Sequence, residues 1–259
     1  MNYFNQFDVL LYPLNSYETA AVRDYFKNLK VLSYTLGRYP QWETTTILDG
    51  ERPDNVSYRL YGTPAYWWTF FITNDRLRDH NNEWPLSNEE FELFIEEKYP
   101  SNYRVITIFR ENINADFADN NASLAIADDI LVGSLTESRA RVVSVDFTLN
   151  RIIVEMLEGA FQNETLVCEG REYVIRYDSS FTYDVIPYRN AVSYYEYVNS
   201  TERFLPFTFL RGEIPGNVIQ SKPFLEVEQE AHTNKFSIRT IRPADISKFA
   251  LEIKEKYKE

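Results

Sequence analysis

The chain contains few of the side chains that build metal centres or nucleophilic active sites. It has one cysteine, Cys168, and two histidines, His80 and His232. A structural zinc site needs four ligands, mostly Cys and His, so this chain alone cannot supply a Cys/His site. The apolar run from Leu166 to Cys168 is typical of a buried strand, which favours a structural thiol over a nucleophile. We expect His80 in an exposed loop and His232 in a turn.

Paired carboxylates are the remaining candidates for acid–base chemistry. Glu89-Glu90 and Glu96-Glu97 are adjacent pairs, but adjacent side chains on a helix point apart. A glycosidase needs two carboxyl groups about 5 to 9 Å apart, and the 39 acidic residues produce adjacent pairs by chance. The sequence has no GxSxG elbow, no HExxH motif and no glycine-rich phosphate loop. We therefore predict no enzymatic activity, no catalytic residue, no metal and no cofactor.

Composition narrows the classes of partner. The 39 acidic and 27 basic residues give a formal net charge of −12. A field of this sign repels nucleic-acid phosphates and anionic membranes, so we predict neither as a partner. Aromatic residues make up 16% of the chain, and Tyr and Trp are favoured at protein–protein interfaces. The N-terminus lacks the pattern of a signal peptide, and no apolar stretch approaches the length of a membrane span.

The first segment, residues 1–40, is predicted to be an apolar N-terminal arm. Its apolar residues near the start are Tyr3, Phe4, Phe7, Leu10 and Leu11. Apolar residues from Glu18 to Leu32 have helical spacing. Such an arm is covered either by its own domain or by a neighbouring protein. The sequence leaves both alternatives open.

The second segment, residues 41–104, has the pattern of a compact α+β unit. Residues 42–48 are rich in β-branched side chains and predict a strand. A short helix follows Pro53 and ends at Gly62, which suits the position after a helix C-terminus. Thr63 can cap a second helix that begins at Pro64.

This second helix is apolar on nearly all sides, so we expect it to be buried. It carries Trp67 and Trp68 and ends near Asn74. Further along, Ser87 and Glu90 have the spacing of a capping box, which predicts a helix running to about Tyr99.

The remaining two segments are predicted to be richer in strands. Residues 105–180 contain several short strand patterns and form a small antiparallel β-barrel or sheet in our prediction. Residues 181–259 comprise a Tyr-rich connection, a hairpin of strands 224–230 and 235–241, and a helix after Pro243. The predicted strands of the third segment lie at 105–109, 129–135, 139–146, 151–157 and 165–178.

Two separate segments resemble one known family. The run from Tyr61 to Trp68, followed by the apolar helix and by Trp84-Pro85-Leu86-Ser87, resembles the LysM-like unit of the T-even type phage baseplate wedge subunit encoded by gene fifty-three. Residues 237–249 resemble the closing strand and helix of the same family. The middle of the chain lies outside this resemblance and has only a weak similarity to β inserts of other tail proteins.

The resemblance implies a fold, a location in the virion and a structural function. The fold is α+β: a strand-helix-helix-strand unit, a small β insert, and a C-terminal hairpin and helix. The place is the virion tail baseplate, assembled in the host cytoplasm, and the partners are other wedge proteins. The task is structural: clamping neighbouring wedges into a six-fold ring. The residues implied to define the LysM-like core are Tyr61, Gly62, Pro64, Trp67, Trp68 and Trp84.

We expect partner binding to lie outside this core, in the arm, the Tyr-rich stretch and the last helix. LysM units elsewhere bind N-acetylglucosamine polymers, so the alternative is a glycan-binding or tail-associated peptidoglycan-hydrolase module with Tyr66, Trp67 or Trp84 in an open groove. A third alternative is a β-rich adaptor unrelated to phages. The predicted interface residues are Tyr3, Phe4, Phe7, Tyr188, Tyr194, Tyr195, Tyr197, Ile246, Phe249 and Ile253.

Overall fold

The protein combines helices with antiparallel sheets, which confirms the mixed α+β class. It divides into two compact units: unit 1 contains residues 1–91 and 230–259, and unit 2 contains residues 92–229. These boundaries differ from the four consecutive segments expected from the sequence. The computed structural model describes residues 9–15, 18–23, 42–77, 83–110, 124–147, 149–198, 202–204 and 219–258.

Unit 1 contains two small antiparallel sheets and helices from both ends of the chain. Strand β1 pairs with β2, and strand β3 pairs with β14 near the C-terminus. Two helices, α3 and α4, each contain one of the boundaries with unit 2. The elements are β1 (Val9–Pro13), β2 (Thr19–Arg23), β3 (Trp42–Thr46), α1 (Pro53–Tyr61), α2 (Thr69–Thr73), α3 (Asn88–Lys98), α4 (Phe224–Lys235), β14 (Ser237–Ile241) and α5 (Ile246–Lys258).

The predicted C-terminal hairpin is wrong. Residues 224–230 belong to helix α4, and β14 pairs with β3 instead, from Trp42↔Ile241 to Thr46↔Ser237. The apolar–polar alternation of 224–230 suggested a strand, but the segment contains three Glu, one Gln and one Leu, which are strong helix formers. The strand partner is supplied by a distant part of the chain, which no local pattern indicates.

The helix predicted from Glu18 to Leu32 is also wrong where the structure describes it. Residues 19–23 form strand β2, and residues 24–32 lie outside the described ranges. A turn reverses the chain before this strand: the Leu14 N–H donates to the Glu18 carbonyl at 2.9 Å, and the Glu18 N–H donates to the Asn15 side chain at 2.9 Å. Pairing with β1 therefore overrides the helical spacing.

Helix α3 begins as predicted. Ser87 Oγ accepts from the Glu90 N–H at 3.3 Å, and Glu90 Oε2 accepts from the Ser87 N–H at 2.9 Å. This reciprocal pair is a capping box, and it satisfies two N–H groups that an uncapped helix leaves unpaired.

Unit 2 is built around a seven-stranded antiparallel sheet in the order β10-β4-β7-β6-β5-β8-β9. The five predicted strand regions of residues 105–180 all contain strands. The sheet also includes residues 181–187, which the sequence placed in the following segment. The strands are β4 (Tyr103–Arg110), β5 (Ile130–Gly133), β6 (Arg139–Asp146), β7 (Arg151–Glu158), β8 (Leu166–Glu169), β9 (Val174–Ile175) and β10 (Phe181–Pro187).

One face of this sheet carries the core of unit 2. Alternating aliphatic residues such as Ile106, Ile108, Ile152 and Val154 are buried together, as the two-residue period of a strand requires. Tyr183 closes the core by donating its hydroxyl to the Glu164 carbonyl at 2.6 Å.

A second, three-stranded antiparallel sheet completes unit 2. Its order is β12-β11-β13, with β11 at Val192–Tyr197, β12 at Arg203–Phe204 and β13 at Ile219–Pro223. The Tyr-rich stretch predicted as a connection therefore supplies a central strand.

Candidate functional site and interaction surfaces

The segment from Tyr61 to Trp68 forms a tight turn between two helices. Gly62 has φ of 70°, in the left-handed region, and its N–H donates to the Tyr58 carbonyl at 2.9 Å. Glycine adopts this conformation at little steric cost, so it ends α1 cleanly. Thr63 Oγ1 then accepts from the Ala65 N–H at 3.3 Å, and Pro64 begins a 3-10 turn at Pro64–Tyr66. The predicted roles of Gly62, Thr63 and Pro64 match this geometry.

Trp68 is the centre of one core cluster in unit 1. Its side chain is buried, and its indole N–H donates to the Ala65 carbonyl at 3.0 Å. It packs with Ile241 of β14 and with Phe249 of α5. The resembling segments around 61–68 and 237–249 therefore pack on each other inside one unit.

Two polar side chains connect the helices to strand β14. The Tyr61 hydroxyl donates to the Ile241 carbonyl at 2.9 Å. Asn74 Nδ2 donates to the Arg239 carbonyl at 2.9 Å, and Asn74 Oδ1 accepts from the Arg239 N–H at 2.8 Å. The Asn74 amide thus replaces a neighbouring strand at the second edge of β14, and no sequence pattern indicates this role.

The three aromatic residues that a glycan site would use take part in the unit's own packing. The Trp84 ring lies 5.6 Å from the Phe71 ring, and its indole N–H donates to the Glu51 carbonyl at 2.8 Å. Trp67 is half-buried and packs edge-on against Phe71. The Tyr66 hydroxyl lies 3.4 Å from Ser247 Oγ. These contacts give the rings a structural role and do not favour the glycan-binding alternative.

The apolar face of the last helix is not available to a partner in this structure. Ile246, Phe249 and Ile253 are all buried in the core cluster that contains Trp68. Their prediction as interface residues is therefore corrected. An amphipathic terminal helix can cover its own domain or a partner, and here it covers the aromatic core of unit 1.

The tyrosines of the predicted interface differ in how deeply they are buried. Tyr194 is buried with the Arg203 guanidinium 4.3 Å from its ring centre, so it is corrected as well. Tyr188 and Tyr195 are half-buried, and Tyr188 packs edge-on against Phe224. Tyr197 is exposed. Residues Tyr3, Phe4 and Phe7 of the arm lie outside the described residues.

The β1–β2 hairpin carries a run of exposed apolar side chains. Leu11 is 73% exposed, Leu14 63% and Tyr12 62%. Val9 and Leu10 are about half exposed as well. Sequence reasoning placed Leu10 and Leu11 in an apolar arm, but its predicted interface included only the aromatic residues before position 9.

The single thiol is buried, as the strand pattern predicted. Cys168 is buried in strand β8, and burial raises the pKa of its thiol. A raised pKa reduces the thiolate fraction at neutral pH, which opposes a role as nucleophile. Among the described residues, no group of three or more His, Cys, Asp and Glu side chains is placed to hold a metal ion.

The prediction that His232 lies in a turn is wrong, and His80 lies outside the described residues. His232 is on α4, buried against Phe91 with the two rings stacked at 4.1 Å. Its Nε2 lies 3.1 Å from the Leu86 carbonyl. Burial lowers the pKa of this imidazole, so it is held mainly neutral inside unit 1.

Unit 2 contains two carboxylates with several hydrogen-bond donors. Glu164 accepts from the Leu135 N–H at 2.6 Å, the Thr136 N–H at 3.0 Å and the Thr136 hydroxyl at 2.6 Å. Burial opposes its ionisation, but these donors outweigh burial and lower the pKa. Asp129 similarly accepts from Arg171 and Tyr173. In both cases the donors come from turns or neighbouring strands, which indicates a structural role.

A cavity of about 370 Å³ lies between the two sheets of unit 2. Two charged residues, Arg151 and Asp184, line it. The Arg151 guanidinium is buried and bound to Asp146 and to the Val192 carbonyl, so it links parts of unit 2. Its lining residues include Phe109, Leu149, Ile186, Val192, Tyr195 and Ile219.

No protein-family model matches the sequence, and the search of curated proteins gave no match. Within the described ranges, no helix has both the length and the apolar character of a membrane-spanning segment.

Proposed function

We propose that the chain is a structural, non-enzymatic subunit of a contractile phage tail baseplate wedge, in which it clamps neighbouring wedges into a six-fold ring. On this proposal β3, α1, α2 and β14 form a LysM-like strand-helix-helix-strand unit. The remaining chain between α2 and β14 is then a long insertion. The partners are other wedge proteins, with no nucleic acid and no membrane, and the site of action is the virion tail.

One observation carries the proposal. The two segments that resemble the wedge family are far apart in sequence, yet Trp68 of the first packs with Ile241 and Phe249 of the second. A chance resemblance of two short segments would not require them to meet in one compact unit. Further support comes from the buried or internally paired state of the Cys, His and carboxylate groups discussed above, which leaves them structural.

The test is the location of the chain in a virus particle. We expect mass spectrometry to detect it in purified virions and a six-fold averaged map of the tail to place it at the contacts between wedges. Its absence from purified particles would contradict the proposal.

The glycan-binding alternative needs its own measurement. We expect the purified chain to be neither retained on peptidoglycan or chitin beads nor able to lyse cell walls, because Trp67 and Trp84 pack within unit 1. Retention that disappears in a Trp67→Ala variant would favour the alternative over the wedge function.

A further inference from the structure

An open depression on unit 1 contains two arginines, and none of the described residues that line it carries a carboxylate. Its volume is about 420 Å³. Strands β3 and β14 form one part of its wall, and the 3-10 turn at Asp75–Leu77 forms another. The arginines are Arg76 of the turn and Arg239 of β14, and both are exposed.

One buried residue ties the turn to the strand. The Asn74 amide bonds to both the N–H and the carbonyl of Arg239, at 2.8 and 2.9 Å. The Asn74 carbonyl accepts from the Leu77 N–H at 2.9 Å, and Leu77 is fully buried. The backbones that carry Arg76 and Arg239 are therefore fixed relative to each other. Donors that are in place before a ligand arrives lose less entropy on binding.

Two hydroxyl groups lie on the same face as Arg239. Thr44 is directly opposite Arg239 in the β3–β14 pair, and Ser237 precedes Arg239 by two residues. Side chains at these positions share one face of the sheet, and all three are exposed. The depression thus combines two long guanidinium donors with two short hydroxyl donors.

The positive charge of the depression is not neutralised by the protein. Within the described ranges, neither of its two guanidinium groups has an ion-pair partner. Other arginines of unit 1 do: Arg52 is paired with Asp54, and Arg59 with Glu51. An anion in the depression would gain from both charges at once.

From this arrangement we infer that the depression binds a dianionic phosphate group, either of the free ion or of a small phosphomonoester. Guanidinium groups form paired hydrogen bonds with phosphate and with carboxylate oxygens. The two oxygens of a carboxylate lie in one plane, whereas those of a phosphate point in several directions and can accept from two guanidinium groups and two hydroxyls together.

Size and charge narrow the ligand further. The volume of the depression is within the range of small-molecule sites, which favours the ester over the free ion. The net charge of −12 repels long polyanions such as nucleic acids, so the ligand is small. This site is independent of the proposed function.

The test is titration of the purified full chain with inorganic phosphate, glycerol phosphate or succinate at constant ionic strength, followed by calorimetry. Arg76→Gln and Arg239→Gln each remove one guanidinium of the depression. Arg52→Gln is the matched control, because the Arg52 side chain is 77% exposed elsewhere in unit 1. The melting temperature of each variant without ligand, followed by tryptophan fluorescence, shows whether it folds as the wild-type chain does.

We expect Arg76→Gln and Arg239→Gln each to weaken the binding of glycerol phosphate at least fivefold, and Arg52→Gln to change it less than twofold. Glycerol phosphate should raise the melting temperature of the wild-type chain but not that of the double variant. Tighter binding of glycerol phosphate than of inorganic phosphate would identify the ester as the ligand, and the reverse would identify the free ion. Equal weakening by all three substitutions would overturn the site, as would failure of the wild-type chain to bind either phosphate. Equally tight binding of succinate, a dianion without phosphate, would overturn the ligand class.

Discussion

Units 1 and 2 differ in charge, in the composition of their cores and in the way the chain forms them. Unit 1 has 17 acidic and 15 basic residues, whereas unit 2 has 22 acidic and 12 basic residues. Almost all of the net charge of −12 therefore belongs to unit 2. The core of unit 1 is aromatic around Trp68 and Phe249, while that of unit 2 is mostly aliphatic, with residues such as Ile152 and Leu166.

The connections of the two units differ as well. Unit 2 is a continuous stretch in which neighbouring strands such as β6 and β7 are joined by short turns. Unit 1 is closed by pairing β3 with β14, whose residues are far apart in sequence. The entropic cost of closing a loop rises only slowly with loop length, so the contacts made when β3 pairs with β14 can offset it. Unit 1 therefore depends on a few large aromatic contacts, and unit 2 depends on many smaller aliphatic contacts between neighbouring strands.

All four tryptophans, Trp42, Trp67, Trp68 and Trp84, belong to unit 1. Tryptophan fluorescence therefore reports the unfolding of unit 1, while circular dichroism of the sheet mainly reports unit 2. The two signals together therefore separate effects on unit 1 from effects on unit 2.

Removing the central indole should destabilise unit 1 most. Trp68→Ala leaves a cavity beside Ile241 and Phe249, and we expect it to lower the free energy of unfolding by about 3–5 kcal/mol. Chemical denaturation followed by fluorescence of the remaining tryptophans measures this loss. Leu251→Ala, at an exposed position of α5, should change it little. An equal shift of the sheet signal would mean that the units unfold together, which would break the comparison.

Unit 2 should respond to the loss of its buried carboxylate. Glu164→Gln weakens the acceptor of the Leu135 and Thr136 N–H groups, and we expect a cost of about 1–3 kcal/mol. The midpoint of the sheet signal should fall while the tryptophan midpoint stays constant. A matched Glu169→Gln variant changes an exposed carboxylate of strand β8 and should have little effect.

The turn after α1 should make a smaller contribution. A Cβ added at Gly62 meets no atom within 4 Å, so the cost of Gly62→Ala arises from its positive φ alone. We expect about 1 kcal/mol, seen only in the tryptophan signal. Gly62→Asn should cost less, because Asn tolerates the left-handed conformation better. A larger loss for Asn than for Ala would contradict this explanation.

The effect of pH should also differ between the units. Because the pKa of His232 is lowered in the folded state, the unfolded chain binds more protons as pH falls below about 6.5. The stabilising contribution of neutral His232 is thus complete above that pH and declines as pH decreases towards the lowered pKa. We expect the tryptophan signal to show this decline and His232→Phe to reduce it.

The matching control is the carboxylate of unit 2. Glu164 has a lowered pKa, so its contribution is complete above its ordinary pKa of 4.5 and is lost as pH falls further. The sheet signal should therefore decline in a more acidic range than the tryptophan signal. A decline of both signals in the same range, unaffected by His232→Phe, would refute the assignment.

Local sequence patterns predicted much of the secondary structure. The capping box of Ser87 and Glu90, the helix end at Gly62 and the strands of residues 105–180 are confirmed, because each depends on contacts within one turn or one strand. Predictions failed where a distant partner decided the outcome. Residues 224–230 became helix, and residues 19–23 became a strand, since pairing and packing outweighed a weak local preference.

The candidate interface was predicted less well than the fold. Burial assigned Tyr194, Ile246, Phe249 and Ile253 to the interior of their units. An apolar helix face looks the same in sequence whether it covers its own core or a partner. The exposed β1–β2 hairpin was recognised as part of an apolar arm, but the sequence did not reveal the pairing of its two strands.

The sequence by itself determined the mixed α+β class, the turn chemistry around Gly62 and Pro64, and the scarcity of Cys and His. These follow from backbone preferences and side-chain inventory, which are local properties. Only the tertiary structure decided that β14 completes the sheet of β3, that Asn74 pairs with the edge of β14, and that the last helix faces inward. The physical reason is that strand pairing and burial depend on which distant surfaces meet, and that choice minimises the free energy of the whole unit rather than of any one segment.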